Sequence, residues 1–568
     1  MRNKEVANVL SEVADLLDIN GEEFKPNAFR RAARALEGLA EDVVALKIGG
    51  KLPEVHGIGE AIAQKIGEYL DTGSIRLLEE LKLEIPAGVI EMLSIQGVGP
   101  KTASRAWKEL GLTSIEELRQ AAESHELRKL KGFGEKRESN ILRAIRFLSE
   151  SKKRTPLGVA LPIGEMIAEH LRINAPVIKV NVAGSLRRMR ESVGDLDFLV
   201  VSNKPEDVVR VFTAMPSVKE VLAAGDIKAS VLLKEGVQAD LRVLDEVCWG
   251  SGLQYFTGSK DHNVHLRTIA IKQGLKLNEY GVFRGEQRIA GETEEGLYAA
   301  LGMEFIEPEM REDAGEIEAA QARNLPRLLT LKDIAGDFHI HTNMSDGADT
   351  LETIVETARA KGYSYIGISD HSKSLKVARG LEEERLVSLR DRIRELNRDL
   401  SDFKILLGTE CEILDDGRLD YSDDMLRGLD YVIASVHTRF KMSSEEMTER
   451  IFRAISHPSV NILAHPFTGL IHRREPVLLN FERIAEHASA NGTALEINSF
   501  PERLDINGAQ ARLAKERGAK IVINTDAHEA AHLDFMKFGV GTGRRGWLET
   551  SDVVNCWPYE QVRDFFSR

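Results

Sequence analysis

The chain has 568 residues, of which 42% are hydrophobic and 29% are charged, and its net charge is −14. A chain of this length folds as several domains, and it lacks an apolar run long enough to cross a membrane. Its three widely spaced cysteines (Cys248, Cys411 and Cys556) argue against a disulfide framework and favour a cytoplasmic location, while the acidic balance argues against a protein that simply coats nucleic acid.

The first 150 residues carry apolar side chains at helical spacing. One pattern occurs three times among them, in residues 52–66, 93–107 and 127–141: an apolar helix end, two glycines around one apolar residue, and a helix with a polar start. Glycine allows a tight turn, and the first N–H groups of the following helix suit a phosphate. The glycines concerned are Gly57, Gly59, Gly97, Gly99, Gly132 and Gly134.

This repeated pattern resembles the helix-hairpin-helix motif, which holds DNA backbones without reading their sequence. Residues 1–300 contain 42 Lys and Arg against 44 Asp and Glu, which leaves 34 against 46 for the rest of the chain. The acidic excess therefore lies in the second half, and basic clusters at 30–34, 128–137 and 151–154 suit DNA binding in the first. The alternative interpretation is that the glycines serve only as packing turns.

Strand patterns appear between residues 155 and 300, which predicts a mixed α/β region. Asp195 and Asp197 begin one strand two residues apart, so their carboxylates share a face, and Asp240 lies within another strand. Three converging carboxylates suit two Mg²⁺ ions, which support phosphoryl transfer. A solvated acidic strand start is the alternative interpretation. The predicted strands are 177–185, 197–202, 230–236 and 237–244.

A charged, helix-prone stretch with two prolines, residues 303–335, predicts a linker or bridging region. After residue 336, seven apolar runs alternate with helical stretches, which predicts a parallel sheet with enough strands to close into a barrel. Each run has a His, Asp or Glu within it or just after it, where barrel enzymes carry their chemistry. His339 and His341 lie one residue apart, so a strand would place both imidazoles on one face, where they would share a metal.

The segment GSLRR (184–188) followed by GDLD (194–197) resembles the nucleotidyltransferase signature. With YFTGS (255–259) and the residues after it, residues 1–300 resemble family X DNA polymerases, such as polymerase beta. The resemblance implies two catalytic ions, Mg²⁺ or Mn²⁺, held by Asp195, Asp197 and Asp240, with Asp240 nearest the primer 3′-hydroxyl. It also implies nucleotide or DNA contacts at Gly184, Ser185, Arg188, Tyr255, Phe256, Gly258, Asn263 and Arg267.

A few positions depart from the family pattern. Met189 stands where the family often has glycine, Ala160 where it has a phosphate-contacting arginine, and Lys260 where polymerase beta has an acidic residue. Lys65 matches the lysine that forms a Schiff base with an abasic sugar in members with lyase activity, although the second lysine, expected four residues earlier, is Ala61. An ordinary surface lysine is the alternative interpretation of Lys65.

The second half resembles the polymerase and histidinol phosphatase (PHP) domain, a seven-stranded distorted barrel that holds up to three ions of Zn²⁺, Mn²⁺ or Fe. The resemblance implies that one metal is held by His339, His341, Glu410 and Asp526. It implies that His437 and His465 hold a second metal, and that Glu410 bridges the two. It implies a third held by Asp346, His371 and His528. PHP domains attached to family X polymerases are 3′–5′ exonucleases, and some also cut at abasic sites.

These observations predict a multidomain chain: a helix-hairpin-helix amino-terminal region, an α/β nucleotidyltransferase palm and thumb, and a carboxy-terminal seven-stranded (β/α) PHP barrel. The predicted segments are a DNA-end-binding domain at 1–85, a second hairpin domain at 86–150, the palm at 151–245, the thumb at 246–315, a linker at 316–335 and the PHP domain at 336–568. We expect a monomer that acts on gapped or nicked DNA with dNTPs.

Three functions are compatible with this organisation. The first is a DNA-repair enzyme that both fills short gaps and trims 3′ ends. The second is a PHP phosphoesterase acting on small molecules, with a DNA-binding and weakly polymerising first half. The third is a DNA-end-binding scaffold without catalysis. The aspartate triad argues against the scaffold, and the hairpin repeats argue against the small-molecule phosphatase, because a free phosphomonoester needs no backbone clamp.

Overall fold

The computed structural model describes residues 2–37, 42–95, 97–130, 133–151 and 154–567. The chain forms two compact units, residues 1–152 and residues 153–568. Among the described residues, no helix combines the length and the apolar character needed to span a membrane.

The first unit is helical and is built around one hydrophobic core. Core side chains from Val6 to Ile145 form a single buried cluster, so the predicted domains 1–85 and 86–150 pack together, and Ile85 at their boundary is buried. The helices are α1 (Asn3–Asn20), α2 (Lys25–Glu37), α3 (Val43–Ile48), α4 (Glu60–Thr72), α5 (Arg76–Glu84), α6 (Ala87–Glu91), α7 (Pro100–Leu110), α8 (Ile115–Glu123) and α9 (Glu135–Ser151).

The second unit begins with the predicted palm. Its elements are β1 (Thr155–Pro156), α10 (Leu157–Asn174), β2 (Lys179–Val182), α11 (Gly184–Arg187), β3 (Ser192–Val193), β4 (Asp195–Val201), α12 (Pro205–Thr213), β5 (Val218–Ala224), β6 (Lys228–Leu233) and β7 (Gln238–Leu244). Five of these strands form one sheet in the order β2-β4-β7-β6-β5. Strands β4 and β7 are parallel, and the other neighbouring strands are antiparallel.

Alternation along the palm strands separates an apolar face from a polar one. Leu196, Phe198, Ala239 and Leu241 are buried in one cluster with the helices α10 and α12, and the polar residues between them lie on the other face. The sheet has one strand that the sequence pattern did not indicate, β5, because its residues are mostly exposed and do not alternate. It forms the edge of the sheet beside β6.

The thumb follows the palm and extends further than predicted. Its elements are α13 (Trp249–Thr257), α14 (Lys260–Lys272), β8 (Lys276–Asn278), β9 (Gly281–Arg284), β10 (Gln287–Ala290), α15 (Glu294–Ala300) and α16 (Glu316–Gln321). The last helix begins where the linker was predicted. Its Glu316 is fully buried, with Oε1 2.6 Å from His262 Nδ1, and Ile317 belongs to the thumb core. The first part of the predicted linker is therefore a structural part of the thumb.

The PHP domain alternates short strands with helices. Its elements are β11 (Gly336–Asp337), α17 (Leu351–Ala360), β12 (Tyr365–Ile368), α18 (Glu383–Asp399), β13 (Lys404–Leu407), β14 (Glu410–Glu412), α19 (Asp423–Leu426), β15 (Ile433–Ser435), α20 (Ser444–Ile455), β16 (Ile462–Leu463), α21 (Phe481–Asn491), β17 (Ala494–Asn498), α22 (Gly508–Glu516), β18 (Ile521–Asn524), α23 (Met536–Arg545) and α24 (Tyr559–Phe566).

These strands form two parallel sheets, β11-β12-β13 and β14-β15-β16-β17-β18. Strands β13 and β14 both come from one predicted apolar run, residues 405–413, which is interrupted at Gly408 and Thr409. Strand β11 lies just before the first predicted run, residues 338–342. A parallel bridge between Ile340 and Ala527 joins the segments that follow β11 and β18. This pairing links the first and last strands, as a closed barrel requires.

The two leading histidines of the PHP domain lie just beyond a regular strand. Strand β11 ends at Asp337, and the backbone then pairs with the segment after β18, where His341 N–H donates to the Ala527 carbonyl at 2.8 Å. His339 and His341 are nevertheless fully buried, with ring centroids 5.1 Å apart. The expected shared environment of the two imidazoles therefore arises from barrel closure.

The palm and the PHP domain share a hydrophobic contact. Leu504 and Phe538, both from the PHP domain, belong to the buried cluster that fills the apolar face of the palm. On helix α10, a Cβ at Gly158 would lie 2.2 Å from the Cβ of Pro501. The two domains are therefore packed directly against each other.

Candidate active sites

Three carboxylates meet on the polar face of the palm sheet. Asp195 and Asp197 lie on β4, and Asp240 lies directly opposite Asp197 on the parallel strand β7. One oxygen from each lies within 4.8 Å of the others. Gln238 Nε2 donates to the two oxygens of Asp240 at 3.2 and 3.0 Å, and Ser230 Oγ also donates to this carboxylate. The strand register therefore assembles the triad that the sequence predicted.

Burial and nearby carboxylates disfavour the charged forms of Asp195 and Asp197. Burial, followed by repulsion from Asp195 and Asp240, raises the pKa of Asp197 to about 7. Burial, and then repulsion from Asp240, also raises the pKa of Asp195. Divalent cations would offset this repulsion, and a donor set made only of carboxylate oxygens fits Mg²⁺ or Mn²⁺.

The turn before β4 places Gly184 against the triad. Gly184 has a φ of 60°, and a Cβ there would lie 2.1 Å from Asp197 Oδ2, so a larger residue would displace the carboxylate. The neighbouring Ala183 N–H donates to the Asp197 carbonyl at 2.8 Å. Gly184 and Ser185 begin the short helix α11. Both predicted nucleotide contacts therefore lie beside the carboxylates.

Two arginines of this turn tie the palm to the thumb. Arg187 donates to both oxygens of Glu294 at 2.9 and 2.6 Å, and to Thr257 Oγ1 at 2.9 Å. Arg188 donates through Nη1 to the Thr257 carbonyl at 2.7 Å and through Nε to Glu312 Oε1 at 3.0 Å. Arg188, a predicted nucleotide contact, is thus held in place by thumb residues.

A cleft with a volume of about 430 Å³ lies beside the triad, and Asp197, Asp240 and Phe256 contribute to its lining. The ring of Phe256 meets that of Tyr255 edge to face, with centroids 5.1 Å apart, and the Arg242 guanidinium lies 4.8 Å from the Phe256 ring. These aromatic residues are on α13. The cleft therefore combines the aromatic residue Phe256 with two carboxylates of the triad in its lining.

The turn from α13 to α14 depends on a glycine and an asparagine. A Cβ at Gly258 would lie 2.6 Å from Asn263 Oδ1. Asn263 Nδ2 donates to the Tyr255 carbonyl at 2.7 Å and therefore fixes the end of α13. Arg267 follows one helical turn later on α14 and is exposed. The structure thus brings these predicted contacts onto adjoining parts of one surface.

The three predicted hairpins share one backbone arrangement. In each, the N–H of the apolar residue between the glycines donates to the carbonyl three residues earlier, and that apolar side chain is buried. These bonds are Ile58 to Val55 at 2.9 Å, Val98 to Ile95 at 2.9 Å and Phe133 to Leu130 at 3.0 Å. Gly57 and Gly97 have φ values of 98° and 91°, which glycine adopts most readily, while Gly132 lies outside the described residues.

The second glycine of each hairpin precedes a helix: Gly59 before α4, Gly99 before α7 and Gly134 before α9. A Cβ at any of the three would meet no atom within 4 Å among the described residues, so packing does not require glycine there. The first N–H groups of a helix have no intrahelical acceptor. These positions therefore leave a bare backbone open to a phosphate.

Lys65 lies on the surface of α4. Its Nζ donates to Glu68 Oε2 at 2.7 Å, and the Lys65 side chain is 33% exposed. The ion pair must open before this amine can attack a sugar.

Five histidines surround the carboxylate of Glu410 in the PHP barrel. Its Oε2 lies 3.3 Å from His339 Nε2, 3.5 Å from His341 Nε2 and 2.9 Å from His371 Nδ1. Its Oε1 lies 3.3 Å from His437 Nε2 and 2.9 Å from His465 Nε2. The two oxygens thus face different groups of histidines, which is the arrangement that a bridging carboxylate needs.

The remaining predicted ligands complete two further groups. Asp526 Oδ1 lies 3.2 Å from His341 Nε2 and 3.5 Å from His339 Nε2. Asp346 Oδ2 lies 3.5 Å from His371 Nε2 and 3.4 Å from His528 Nε2. The structure therefore brings all nine predicted ligands into one connected cluster, in which Asp346, His437 and His528 are half-buried and the others are buried.

A charged carboxylate and a buried imidazole nitrogen both suit a cation at this cluster. Burial alone would raise the pKa of Glu410, but attraction to His371, His437 and His339 holds it well below its ordinary value. Burial alone would lower the pKa of His371, but Glu410 and Asp346 raise it to about 10. The Nε2 of His339 is buried and lies 3.3 Å from Glu410 Oε2, but the contact lacks hydrogen-bond geometry. Mixed imidazole and carboxylate donors fit Zn²⁺, Mn²⁺ or Fe.

Four known families match segments of the chain. They are a helix-hairpin-helix domain at residues 1–75, a SAM-like helix-hairpin-helix tandem at 89–146, the DNA polymerase beta thumb at 252–312 and the PHP domain at 337–500. The "DNA polymerase/3'-5' exonuclease PolX" of Bacillus subtilis is 39% identical over 576 aligned positions that cover both chains completely. The chain belongs to the family X DNA polymerases with a PHP domain.

Other relatives match parts of this family X polymerase. Rat DNA polymerase lambda is 24% identical over 343 residues, which cover 55% of this chain and 56% of the rat protein. A probable phosphatase of Acetivibrio thermocellus is 31% identical over 204 residues, which cover 34% of this chain and 78% of the phosphatase.

The family X polymerase also has PHP-site residues that sequence reasoning missed. Glu496 Oε1 lies 2.7 Å from His339 Nδ1, and Glu412 Oε2 lies 2.8 Å from His437 Nδ1, so each acid orients a ligand histidine. Arg503 Nε lies 3.4 Å from Asp526 Oδ2. A signal existed for Glu412, because it follows Glu410 by two residues, and for Glu496, an acid within an apolar run; Arg503 lies in a loop without such a signal.

Proposed function

We propose that this chain is a DNA-directed DNA polymerase that fills short gaps in DNA repair, and that its PHP domain is a metal-dependent 3′–5′ exonuclease. The observation that carries the proposal is the presence of two separate sets of converging metal-binding side chains, the palm triad and the PHP cluster. We further propose that the protein acts as a monomer in the cytoplasm. Primer extension on a gapped oligonucleotide, with dNTPs and with Mg²⁺ or Mn²⁺, tests the first activity.

The palm carboxylates would bind the metal ions and accept the proton in nucleotide addition. Mg²⁺ or Mn²⁺, when bound there, supplies positive charge that activates the attacking hydroxyl and stabilises the leaving pyrophosphate. Asp195 and Asp197 would hold the ions on the nucleotide side. Asp240, oriented by Gln238 and Ser230, would face the primer 3′-hydroxyl and accept its proton.

The turn and the thumb would orient the nucleotide. Gly184 and Ser185 offer backbone N–H and hydroxyl groups to the triphosphate, and Arg188 adds positive charge. Tyr255 and Phe256 would contact the sugar. The presence of Phe256, Asp197 and Asp240 in the lining of the neighbouring cleft supports its assignment as the nucleotide site. Gly258 would leave room for the sugar there, while Asn263 and Arg267 would face the minor groove of the new pair and the template.

The PHP cluster would hydrolyse a phosphodiester at a DNA 3′ end. Zn²⁺, Mn²⁺ or Fe, when bound, supplies an activated hydroxide and neutralises the charge of the phosphate. Glu496 and Glu412 orient His339 and His437, which supports a preorganised site. Cleavage at abasic sites is a second reaction that this chemistry permits.

A gapped substrate with a 5′-phosphate should be preferred over a long open template, because the first helical unit offers phosphate-binding hairpins. Gly57→Ala should raise the KM for gapped DNA about fivefold or more, because alanine strains the hairpin turn beside α4 and weakens its contacts with DNA phosphates. Such phosphate contacts release counterions, so they weaken as the salt concentration rises. The measurement is single-nucleotide extension on gapped, recessed and unphosphorylated DNA at several salt concentrations.

Gly73→Ala is the matched control for this prediction. Gly73 ends the same helix with a φ of 78°, so alanine is comparably strained there, but it is outside the hairpin. Equal extension of all three substrates by the unmodified protein would contradict the gap preference. If the two substitutions raised the KM for gapped DNA equally, the hairpin would not be responsible for the effect of Gly57→Ala.

Lys65 is the proposed lyase nucleophile. Borohydride reduction with a 5′-deoxyribose-phosphate substrate should trap a covalent adduct that Lys65→Ala loses. Glu68→Gln should speed trapping, because the carboxylate that pairs with the amine is then removed. Lys47→Ala is the control, since Lys47 is also paired with an acid, Asp71, in the same unit. Trapping that persists at the same rate in Lys65→Ala would identify a different amine.

The second candidate function is phosphatase activity on small molecules, which the similarity to a probable phosphatase favours for the PHP domain. That similarity covers only 34% of the chain. Hydrolysis of free nucleoside monophosphates, compared with removal of 3′ nucleotides from DNA at equal enzyme concentration, distinguishes the two. Preference for the free monophosphate would favour the phosphatase.

A further inference from the structure

The PHP domain reaches the nucleotide-binding turn of the palm. Arg545, at the end of α23, donates through Nη1 to the carbonyl oxygen of Arg188 and to Glu312 Oε1, both at 3.0 Å. The Arg545 side chain is only 9% exposed. Glu312 Oε1 also accepts from Arg188 Nε at 3.0 Å. One carboxylate oxygen is therefore shared between a palm arginine and a PHP arginine.

The unusual residue of this turn, Met189, faces the same helix. Met189 has a φ of 53°, a conformation that glycine adopts readily and other residues rarely. Its side chain packs against Gly541 so closely that a Cβ there would lie 2.6 Å from Met189 Cε. A methionine in place of glycine thus gains a contact with α23 that offsets part of its backbone strain. Two independent contacts therefore hold the turn against the PHP domain.

Release of Arg188 towards a triphosphate would disturb Glu312. The Glu312 side chain is 22% exposed, and burial alone would raise its pKa, but attraction to Arg188 and Arg545 holds the pKa below its ordinary value. If Arg188 turned away without a replacement, this carboxylate would lose one of the two arginines that lie 3.0 Å from its Oε1. Arg545 keeps it paired, and Arg190 Nη1 lies 3.5 Å away. The cost of freeing Arg188 is therefore lower when Arg545 is present.

We propose that Arg545 of the PHP domain is a positioning residue of the polymerase reaction: it retains Glu312 and fixes the turn so that Arg188 can bind the incoming nucleotide. This inference rests on the proposed contact between Arg188 and the triphosphate. This role of Arg545 does not involve the exonuclease site, because Arg545 donates to the palm at Arg188 and to the thumb at Glu312.

The test is steady-state nucleotide insertion by the full chain. Arg545→Gln should raise the KM for dNTP at least about threefold with a smaller change in kcat, as expected for residues that share a network. Arg545→Lys should restore part of the loss. In a Glu312→Gln background, Arg545→Gln should have less effect, because the neutral amide needs no counter-charge.

Arg544→Gln is the matched control. Arg544 is the adjacent residue of α23 and binds Glu309 at 2.7 Å and the Leu329 carbonyl at 3.0 Å, so it tests the same helix without touching Arg188. Removal of 3′ nucleotides by each variant reports whether the barrel is folded. An equal rise in KM for Arg544→Gln and Arg545→Gln would overturn the proposal and leave only a structural role for α23.

One further variant separates this proposal from the role of Arg188. Arg188→Gln should raise the KM for dNTP more than Arg545→Gln does. If Arg188→Gln leaves the KM unchanged while the protein still polymerises, the assignment of Arg188 fails, and the inference fails with it. If Arg188→Gln raises the KM and Arg545→Gln does not, only the inference about Arg545 fails.

Discussion

Replacing Asp240 by alanine should abolish nucleotide addition and leave the 3′ exonuclease intact. The substitution removes the carboxylate opposite Asp197, which the catalytic ions need, and loss of such a group commonly lowers the rate by about 10² or more. The triad contains none of the predicted metal ligands of the PHP domain, so the substitution leaves that cluster unchanged. Primer extension and 3′ digestion, measured on the same preparation with Mg²⁺ and with Mn²⁺, give the two rates.

Asp226→Ala serves as the control for Asp240→Ala. Asp226 is an exposed acid in the turn between β5 and β6 of the same sheet, outside the triad, so its removal should leave both rates unchanged. Circular dichroism and thermal unfolding check that each variant folds. Loss of both activities in a folded Asp240→Ala protein would mean that digestion is a reaction of the palm, and the PHP cluster would then have no demonstrated catalytic role.

The converse separation is expected from the PHP cluster. Glu410→Ala should lower 3′ digestion by about 10² or more, because this carboxylate faces five histidines with both oxygens and would serve two ions at once. His341→Ala should have a similar or smaller effect, since an imidazole binds one ion through one nitrogen. Both variants should extend primers normally, because Asp195, Asp197 and Asp240 are unchanged.

Asp402→Ala is the matched control for Glu410→Ala. Asp402 is exposed and precedes β13, at the opposite strand end from the cluster. Bound metal, measured by elemental analysis, should fall in Glu410→Ala and remain normal in Asp402→Ala. Unchanged digestion together with unchanged metal content in Glu410→Ala would show that the bridging role assigned to this carboxylate is incorrect.

Much of the fold could be predicted because short-range patterns reported it directly. The alternation around Asp195, Asp197 and Asp240 exposed the polar face of the palm, and the strand register then placed Asp240 opposite Asp197. The family X identity and the PHP domain are confirmed by the comparisons. The hairpin turns could be predicted for the same reason, because a turn that needs a positive φ usually has glycine at that position.

Other features depend on contacts between distant segments, which no local pattern encodes. Strand β5 was missed because an exposed edge strand needs no alternation. The role of Met189 could not be read because its partner, Gly541, is 352 residues away in sequence. The burial of α16 in the thumb was not predicted, because a charged segment such as that around Glu316 is typically solvated. In the structure, His262 and two backbone N–H groups pair with the Glu316 carboxylate inside the thumb.

The apolar contact between the palm and the barrel has a consequence for how this protein could be shortened. Leu504 and Phe538 are each 3% exposed and form part of the core beneath the palm sheet. A fragment that ended at residue 335 would lack both side chains and return the surface that they cover to water. Burial of one such side chain is worth about 1.5–3 kcal/mol, a large share of the stability of an ordinary domain. We therefore expect a polymerase fragment without the barrel to unfold at a lower temperature than the full chain.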